Sequence, residues 1–511
     1  MKKIIVIGAG MGGLSAAIRL QHAGYEVEIY EKEKVSGGKM HPIHEDGHRF
    51  DVGPTIVMMP SVYREVFELA GKNPDDYIPM TRLDPMYEVY FKQSSQGSCE
   101  KAPPRHYKVN NNLVDLMNMA EAKGTENSAG LLSYLSEIYK RYLVAVKHFI
   151  SRPFRKATDM YNPYTLYQAL KLKTFDSADK MMASFIPDAD LHSMFSFQTL
   201  YIGVSPKKGP SLYNIIPMIE LFYGIWFIKG GMYTMAEQMA KLFKELGGKI
   251  HYNSPVEKIL IENSKVKGVR VKGKTVEAPY VISDADFPYT MSELIDDEKT
   301  RGTYTAEKIK NMDYSCSCLV FYWAVKKPHK DLSVHNFVIS EDLDDNLSSI
   351  FTGDLLKDPS IYLHVPSNAD PDTAPKGKAS FYLLIPVSEL KTVKYEWDAK
   401  TVDYYREKAL ESLKSVPGLE NLKKEIVSEH VFTPNDFKNR FNAHYGATFG
   451  LQPTLRQSNH LRPQSKAKHC QGLYFTGSST HPGAGVPIAI EGGKICASEL
   501  RKDNPDDRGK N

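Results

Sequence analysis

Most of the chemistry legible in these 511 residues sits in two glycine-lined stations and one acid. At the N-terminus the apolar run Ile4-Ile5-Val6-Ile7 feeds into Gly8-Ala9-Gly10-Met11-Gly12-Gly13, and a second strand-like run, Val27-Glu28-Ile29-Tyr30, ends in Glu31. Gly8 allows a tight turn, Gly10 keeps no side chain between the backbone and a pyrophosphate, and Gly13 lets a helix lie close to a strand. Phosphates then sit at a helix N-terminus, where free N–H groups and the dipole favour negative charge. Glu31 is placed to accept hydrogen bonds from an adenosine ribose. A lone G-x-G-x-x-G is weak evidence, but strand, glycine turn, helix, strand and acid in this order form a dinucleotide-binding pattern.

The second station lies near the C-terminus. Leu473-Tyr474-Phe475 runs into Thr476-Gly477, followed by Ser478-Ser479-Thr480-His481-Pro482-Gly483-Ala484-Gly485-Val486-Pro487-Ile488 and a helical stretch from 489 to 500. Small residues opening a second helix can hold another anion or stabilise charge developing on a ligand. Two smaller stations stand between: Ser36-Gly37-Gly38-Lys39, whose lysine can reach an anion, and Asp51-Val52-Gly53-Pro54-Thr55. His481 is the first titratable residue to test as a catalytic group, and a structural role in its turn stands beside that reading. Glu220 is a second candidate.

The elements that must position these groups follow from the pattern. Residues 131–156 keep three- and four-residue apolar spacing with six basic residues, which fits a helix packed on the body or a basic face resting on anionic lipid. Residues 215–228 are apolar but broken by Pro217, Glu220 and Gly224, too interrupted to span a bilayer and suited to a cavity wall, with plain core packing the alternative. Met232, Met235 and Met239 form a helical stripe read as core. Residues 256–261 and 266–271 alternate as a hairpin, and strands are expected at 318–325, 360–365 and 380–386, with a helix at 402–413. Residues 92–112 read as a surface loop and 501–511 as a frayed tail.

Composition narrows the class. Hydrophobic residues make up 42% and charged residues 25%, as in a soluble globular chain, and a net charge of +4 gives no case for nucleic acid. Five scattered cysteines argue against a disulfide framework, and neither they nor the dispersed histidines have metal-ligand spacing, so no metal site is expected. No secretory signal and no membrane span are read, which leaves the cytoplasmic side with peripheral membrane contact open.

The order G-x-G-x-x-G, ribose acid, G-G-K and D-x-G-P resembles the amine-oxidase and carotenoid-desaturase group of flavoproteins. The segment T-H-P-G-A-G-V-P is similar to the bacterial carotenoid desaturases. The likeness to their C30 branch extends over residues 53–60, 197–203, 209–213, 227–233 and 432–437, nearly the whole chain, and departs at 92–112 and at Glu491-Gly492-Gly493. The resemblance implies an α/β fold: a Rossmann-like FAD-binding domain of amine-oxidase type, a mixed-sheet substrate domain and a helical membrane-facing subdomain. It divides the chain into FAD-binding segments 1–91, 229–290 and 466–503, a helical membrane-facing region 92–228, a substrate domain 291–465 and a tail 504–511. FAD would be held by Gly8, Gly10, Gly13, Glu31, Lys39 and Gly53 at one end. Val256, through its backbone, would meet the adenine; Asp284, Gly477, Val486 and Ile488 would complete the site.

The implied activity is FAD-dependent desaturation of a linear C30 polyene hydrocarbon drawn from a membrane surface, with an unknown terminal electron acceptor. Two other readings share these motifs: an oxidase forming aldehydes from terminal methyls of C30 carotenoids, and a flavin-free lipid carrier of the GDP-dissociation-inhibitor kind.

Overall fold

The computed structural model describes residues 2–92, 105–154, 157–160, 162–171 and 176–505. Cys99 and residues 93–104 of the loop expected at 92–112 lie outside these. Of the remainder of that loop, His106–Val109 is a strand paired antiparallel with Tyr87–Phe91, so the loop reading fails there.

A five-stranded sheet carries the N-terminal motif. Strand β1 (Lys3–Ile7) lies between β2 (Glu26–Tyr30) and Tyr280–Ser283; Lys249–His251 and Leu473–Phe475 form the edges. Every pairing is parallel. Ile4, Ile5 and Val6 are fully buried because helices cover one face and the three-stranded antiparallel sheet Val256–Glu262, Lys265–Val271, Lys274–Glu277 packs on the other, and each such side chain stabilises the fold by roughly 1.5–3 kcal/mol. Helix α1 (Met11–His22) crosses the last helix, Val486–Asp503, where Ser15 Oγ donates to Ile490 O at 2.7 Å. A Cβ at Gly493 would stand 2.7 Å from that of Ser15. The Glu491-Gly492-Gly493 departure therefore belongs to a helix crossing under the nucleotide loop. The last helix also continues through Asp503, which accepts from Tyr474 at 2.9 Å, so the frayed tail does not begin at 501.

The second body is a seven-stranded mixed sheet in the order Ile426–Phe432, Ser317–Val325, Ala379–Val387, Ile361–His364, His335–Ile339, Tyr87–Phe91, His106–Val109. Ser317–Val325 is buried throughout, yet it alternates: Cys318, Val320 and Tyr322 join one core, while Leu319, Phe321 and Trp323 join another. The second core is closed by the helix Ala399–Leu413.

A helical layer covers the first core. Thr125–Ala145 turns Leu131, Tyr134, Leu135 and Ile138 inward, and its Arg141 is buried with Nη2 donating to Glu137 at 2.8 Å. That helix is packed on the body. The helix Ile215–Tyr223 lies between it and the sheet. Met232, Met235 and Met239 are core. Among the described residues no helix is long and apolar enough to cross a membrane, and no cluster of three or more His, Cys, Asp or Glu could hold a metal.

Candidate active site

All the loops that follow the parallel strands leave the same edge of the sheet: Gly8 after β1, Glu31 after β2, Asp284 after Tyr280–Ser283, and Thr476-Gly477 after Leu473–Phe475. That carboxyl edge, at the point beside β1 where the strand order reverses, is where open α/β sheets bind ligands. Here it opens into a cavity of about 980 Å³ that runs on to the second sheet and the helical layer.

At the sheet edge the glycines are spaced by a carboxylate. A side chain at Gly10 would collide with Asp284 Oδ2, and one at Gly12 would stand 2.7 Å from Asp284 Oδ1 and 2.6 Å from Thr476 Oγ1. Burial pushes the Asp284 carboxyl up to about 8, against hydrogen bonds from the Gly13 and Gly10 backbone. Glu31 is spoken for as well: Oε2 accepts from Ala9 N at 2.7 Å and Oε1 from Glu33 N at 2.8 Å, which leaves each oxygen one further acceptor site toward the cavity. Lys39 Nζ donates to Thr448 O at 2.6 Å on the cavity wall, and its burial lowers the ammonium pKa. The motif acid Asp51 faces elsewhere. It accepts from Met232 N at 2.7 Å and Tyr233 N at 3.0 Å, capping the helix Tyr233–Glu245.

The C-terminal station is pinned by a residue that no motif pointed to. Arg462 is buried and donates to the carbonyls of Leu451, Gln457, Ser478 and Thr480, the last two within the station. An isolated arginine in a Leu-Arg-Pro context carries no sequence signal; its role exists only once the turn is folded around it. Asp286 ties the station to its neighbours, accepting from Ser479 Oγ and, at 2.9 Å, from His444 N. His481 Nε2 lies 2.9 Å from Arg152 O. A carbonyl only accepts, so Nε2 carries the proton and Nδ1 is a bare acceptor without a partner. Burial takes its pKa down to about 4, and the ring stands edge-on to Phe154 at 5.2 Å.

Away from the glycines the lining changes character. Ile215, Ile216 and Ile219 of the helix Ile215–Tyr223 face Phe337, Ile339 and Tyr362 of the second sheet across the cavity. Thr55 Oγ1 meets Tyr362 OH at 2.6 Å, and that hydroxyl meets His335 Nδ1 at 2.7 Å, which fixes the ring on the wall. Leu166, Leu455 and Leu461 line the cavity and are also about half exposed, so they mark its opening.

A family model described as flavin containing amine oxidoreductase matches residues 11–501. The chain belongs to this family. It is 42% identical over 504 residues to the 4,4'-diapophytoene desaturase (4,4'-diaponeurosporene-forming) of Staphylococcus haemolyticus, covering 98% of this chain and 99% of the relative. Among solved structures it is similar to an oxidoreductase from Methanosarcina mazei, with a TM-score of 0.64 at 18% identity over 98% of this chain and 100% of that one. It is also similar to the Rab GDI of Plasmodium falciparum, with a TM-score of 0.53 at 10% identity over 98% of each chain. At such identities the two structures speak for the fold alone.

FAD is the cofactor of this flavin-containing oxidoreductase, and the residues fit it. Gly10 and Gly12 have no room for a Cβ against Asp284 and Thr476 and so leave bare backbone on the cavity wall, two helix N-termini converge on one cavity, and Glu31, on its wall, keeps acceptor capacity. Gly8, Gly10, Glu31 and Lys39 line the cavity, as do Gly53, Val256 and Asp284 and, from the far station, Gly477, His481, Val486 and Ile488. Gly13 does not. A Cβ there would stand 2.5 Å from Gly8 O, so it serves the packing of α1 on β1.

Proposed function

We propose that this chain is an FAD-dependent desaturase that introduces successive double bonds into dehydrosqualene (4,4'-diapophytoene), a linear C30 carotenoid precursor. The observation that carries this reading is that the glycine cradle and the long apolar wall belong to one cavity. The full-length likeness to diapophytoene desaturases supports it. Bound FAD supplies a hydride acceptor for an allylic C–H, while the neighbouring carbon gives up a proton. The protein supplies orientation: Ile215, Ile216 and Ile219 on one side and Phe337 and Tyr362 on the other hold an extended chain by dispersion and exclude water. Positive charge left on a polyene is delocalised, so a strong base is not compulsory. His481, neutral near pH 7, ties the 152–154 segment to the C-terminal station rather than taking that proton.

Moving such a substrate from lipid to an apolar cavity is nearly neutral, because the hydrophobic gain is measured against water. The opening must therefore meet the membrane. Tyr164, Leu166, Tyr167 and Leu170 of the helix Pro163–Lys171 are each more than half exposed beside that opening, and we assign them to a peripheral lipid contact.

Incubating the flavin-loaded protein with 4,4'-diapophytoene in liposomes and separating the products by chromatography tests the reading. Yellow, more unsaturated C30 hydrocarbons are expected. Oxygenated products made only from an already desaturated C30 chain would establish the terminal oxidase instead, and purified protein without flavin absorbance would favour the carrier.

A further inference from the structure

Desaturation leaves one proton in need of a receiver. Of the two titratable residues singled out in the sequence, His481 is held to Arg152 O, and Glu220 is buried and does not line the cavity. Another path stands where the two ends of the cavity join. Thr55 follows Gly53-Pro54, and a Cβ at Gly53 would collide with Lys39 O. The Gly37-Gly38-Lys39 turn in its place lies on the glycine cradle, with Gly37 N donating to Ala9 O at 2.8 Å. Across the junction Tyr362 belongs to the apolar wing, its ring stacked toward Phe337 at 4.9 Å. Thr55 and Tyr362 both line the cavity and their hydroxyls meet at 2.6 Å; behind them Tyr362 OH lies 2.7 Å from His335 Nδ1.

His335 is fully buried, its Nε2 has no partner, and its ring stacks at 4.9 Å on that of His364, the residue opposite it on the next strand. Burial and the neighbouring imidazole hold its pKa well below the ordinary value, so the ring is neutral and has one bare nitrogen. The two tautomers give opposite chains. With the proton on Nδ1, His335 donates to Tyr362 and the hydroxyls point back toward the cavity as donors. With the proton on Nε2, Nδ1 accepts from Tyr362 and Tyr362 accepts from Thr55. Thr55 Oγ1, bonded to no other group among the described residues, then keeps lone pairs for a proton coming from the cavity. A phenol is a better donor than a neutral imidazole N–H, and an imidazole nitrogen a better acceptor than a phenol oxygen, which favours the second chain.

We infer that Thr55, Tyr362 and His335 form a relay that receives the proton lost at each desaturation. This rests on the proposed desaturase reading. As an allylic hydride leaves with its electron pair to bound FAD, the adjacent C–H bond breaks and its electrons become the new double bond. The proton passes to Thr55 Oγ1, the Thr55 proton to Tyr362 and the Tyr362 proton to His335 Nδ1. The polyene cation is a far stronger acid than an imidazolium, so a neutral imidazole behind two hydroxyls is base enough. Burial disfavours the imidazolium, which returns the proton the same way once product has left. Thr55 is the catalytic residue, and His335 acts through Tyr362.

Two measurements on the flavin-loaded protein test the relay. Anaerobic mixing with 4,4'-diapophytoene in liposomes, in H2O and in D2O, gives the rate of flavin bleaching. Nitrogen-15 spectra of the resting protein labelled at histidine, with the His335 signals assigned by their loss in His335→Gln, give the tautomer. A bare Nδ1 is expected at His335, and a slower parent rate in D2O, because the hydroxyl protons that move exchange with solvent. Thr55→Val and Tyr362→Phe each remove one hydroxyl and should lower the rate by about 100-fold and abolish the D2O effect. Polyene affinity should stay within about threefold, since dispersion holds the chain. If one variant does not fold the other decides, and if neither folds the tautomer decides. An Nδ1–H at His335, no D2O effect in the parent, variants at the parental rate, or a rate loss with the D2O effect intact overturns the relay and leaves the proposed function standing. A parent whose flavin the substrate does not bleach overturns both.

Discussion

At the sheet edge of the cavity most side chains are missing or hydrogen-bonded; across from it they are large and mainly apolar. Gly8, Gly10 and Gly12 leave bare backbone, Glu31 has both oxygens engaged, and Arg462 spends its donors on four carbonyls. The apolar wing is held by isoleucines and stacked rings. Hydrogen bonds specify atoms at fixed positions, so a single added methyl matters at the first end. Dispersion specifies only volume, so the second end should tolerate exchange of one aliphatic group for another.

Gly12→Val is the most severe way to press on that contrast. Its side chain would enter space already within 2.6–2.7 Å of Thr476 Oγ1 and Asp284 Oδ1. Flavin absorbance of the purified protein should be lost, with FAD affinity down by more than about 100-fold, equivalent to over ~2.7 kcal/mol. Ile219→Val, one methylene smaller on the other wall, should change product formation by less than about threefold. A flavin-replete Gly12→Val would break the contrast.

The wing should be equally intolerant of charge. Ile216→Asp places an unpaired carboxylate on the substrate wall, and desolvating it should weaken C30 binding by about 100-fold. Flavin content should stay near that of the parent, since Ile216 lies away from the glycine cradle. Parallel loss of flavin would mean that the two ends are one cooperative unit. A smaller effect is expected outside the cavity. Tyr167→Glu with Leu170→Glu should lower partition into anionic vesicles by about tenfold and leave flavin absorbance unchanged. Co-sedimentation with the vesicles measures it, and undiminished binding would move the lipid contact elsewhere.

Asp284 supplies a pH test of the crowded end. Its carboxyl is raised from the ordinary aspartate range to about 8, mainly by burial. Between those values the unfolded chain releases the proton and the folded chain keeps it, so stability from this group falls as pH rises and levels off above about 8. Urea midpoints of the flavin-free chain between pH 5 and 9 should show this slope, and Asp284→Asn should flatten it. An unchanged slope in the variant would mean that the carboxylate is already ionised in the cradle.

The two ends were also unequally legible in the sequence. Gly8, Gly10 and Glu31 could be placed from local spacing, because turn, helix start and acid are set within one β1–α1–β2 unit. The apolar wing could be read only as a greasy stretch at 215–228: which of its residues face the cavity depends on a sheet whose strands are far apart in sequence. Asp51 shows the same limit. Its motif places it beside Gly53, but its carboxylate caps a helix that begins 182 residues later. Arg462 has no local pattern at all, since its partners are carbonyls brought in by tertiary packing.

His481 has the smallest expected effect and separates a chemical role from a structural one. With its pKa near 4 it is uncharged throughout the working range, so desaturation rate should be flat from about pH 6 to 9 as far as this residue is concerned. His481→Gln can still present an N–H to Arg152 O and should keep the rate within about fivefold, whereas loss of a general base typically costs 10²–10⁴-fold. The sign of its stability effect is opposite to that of Asp284. A histidine depressed on folding stabilises above its unfolded pKa and loses that contribution as pH falls from about 6.5 toward 4. His481→Gln should therefore flatten the acid limb of the melting curve measured from pH 4 to 7. A large rate loss with an unaltered acid limb would instead make His481 the proton acceptor.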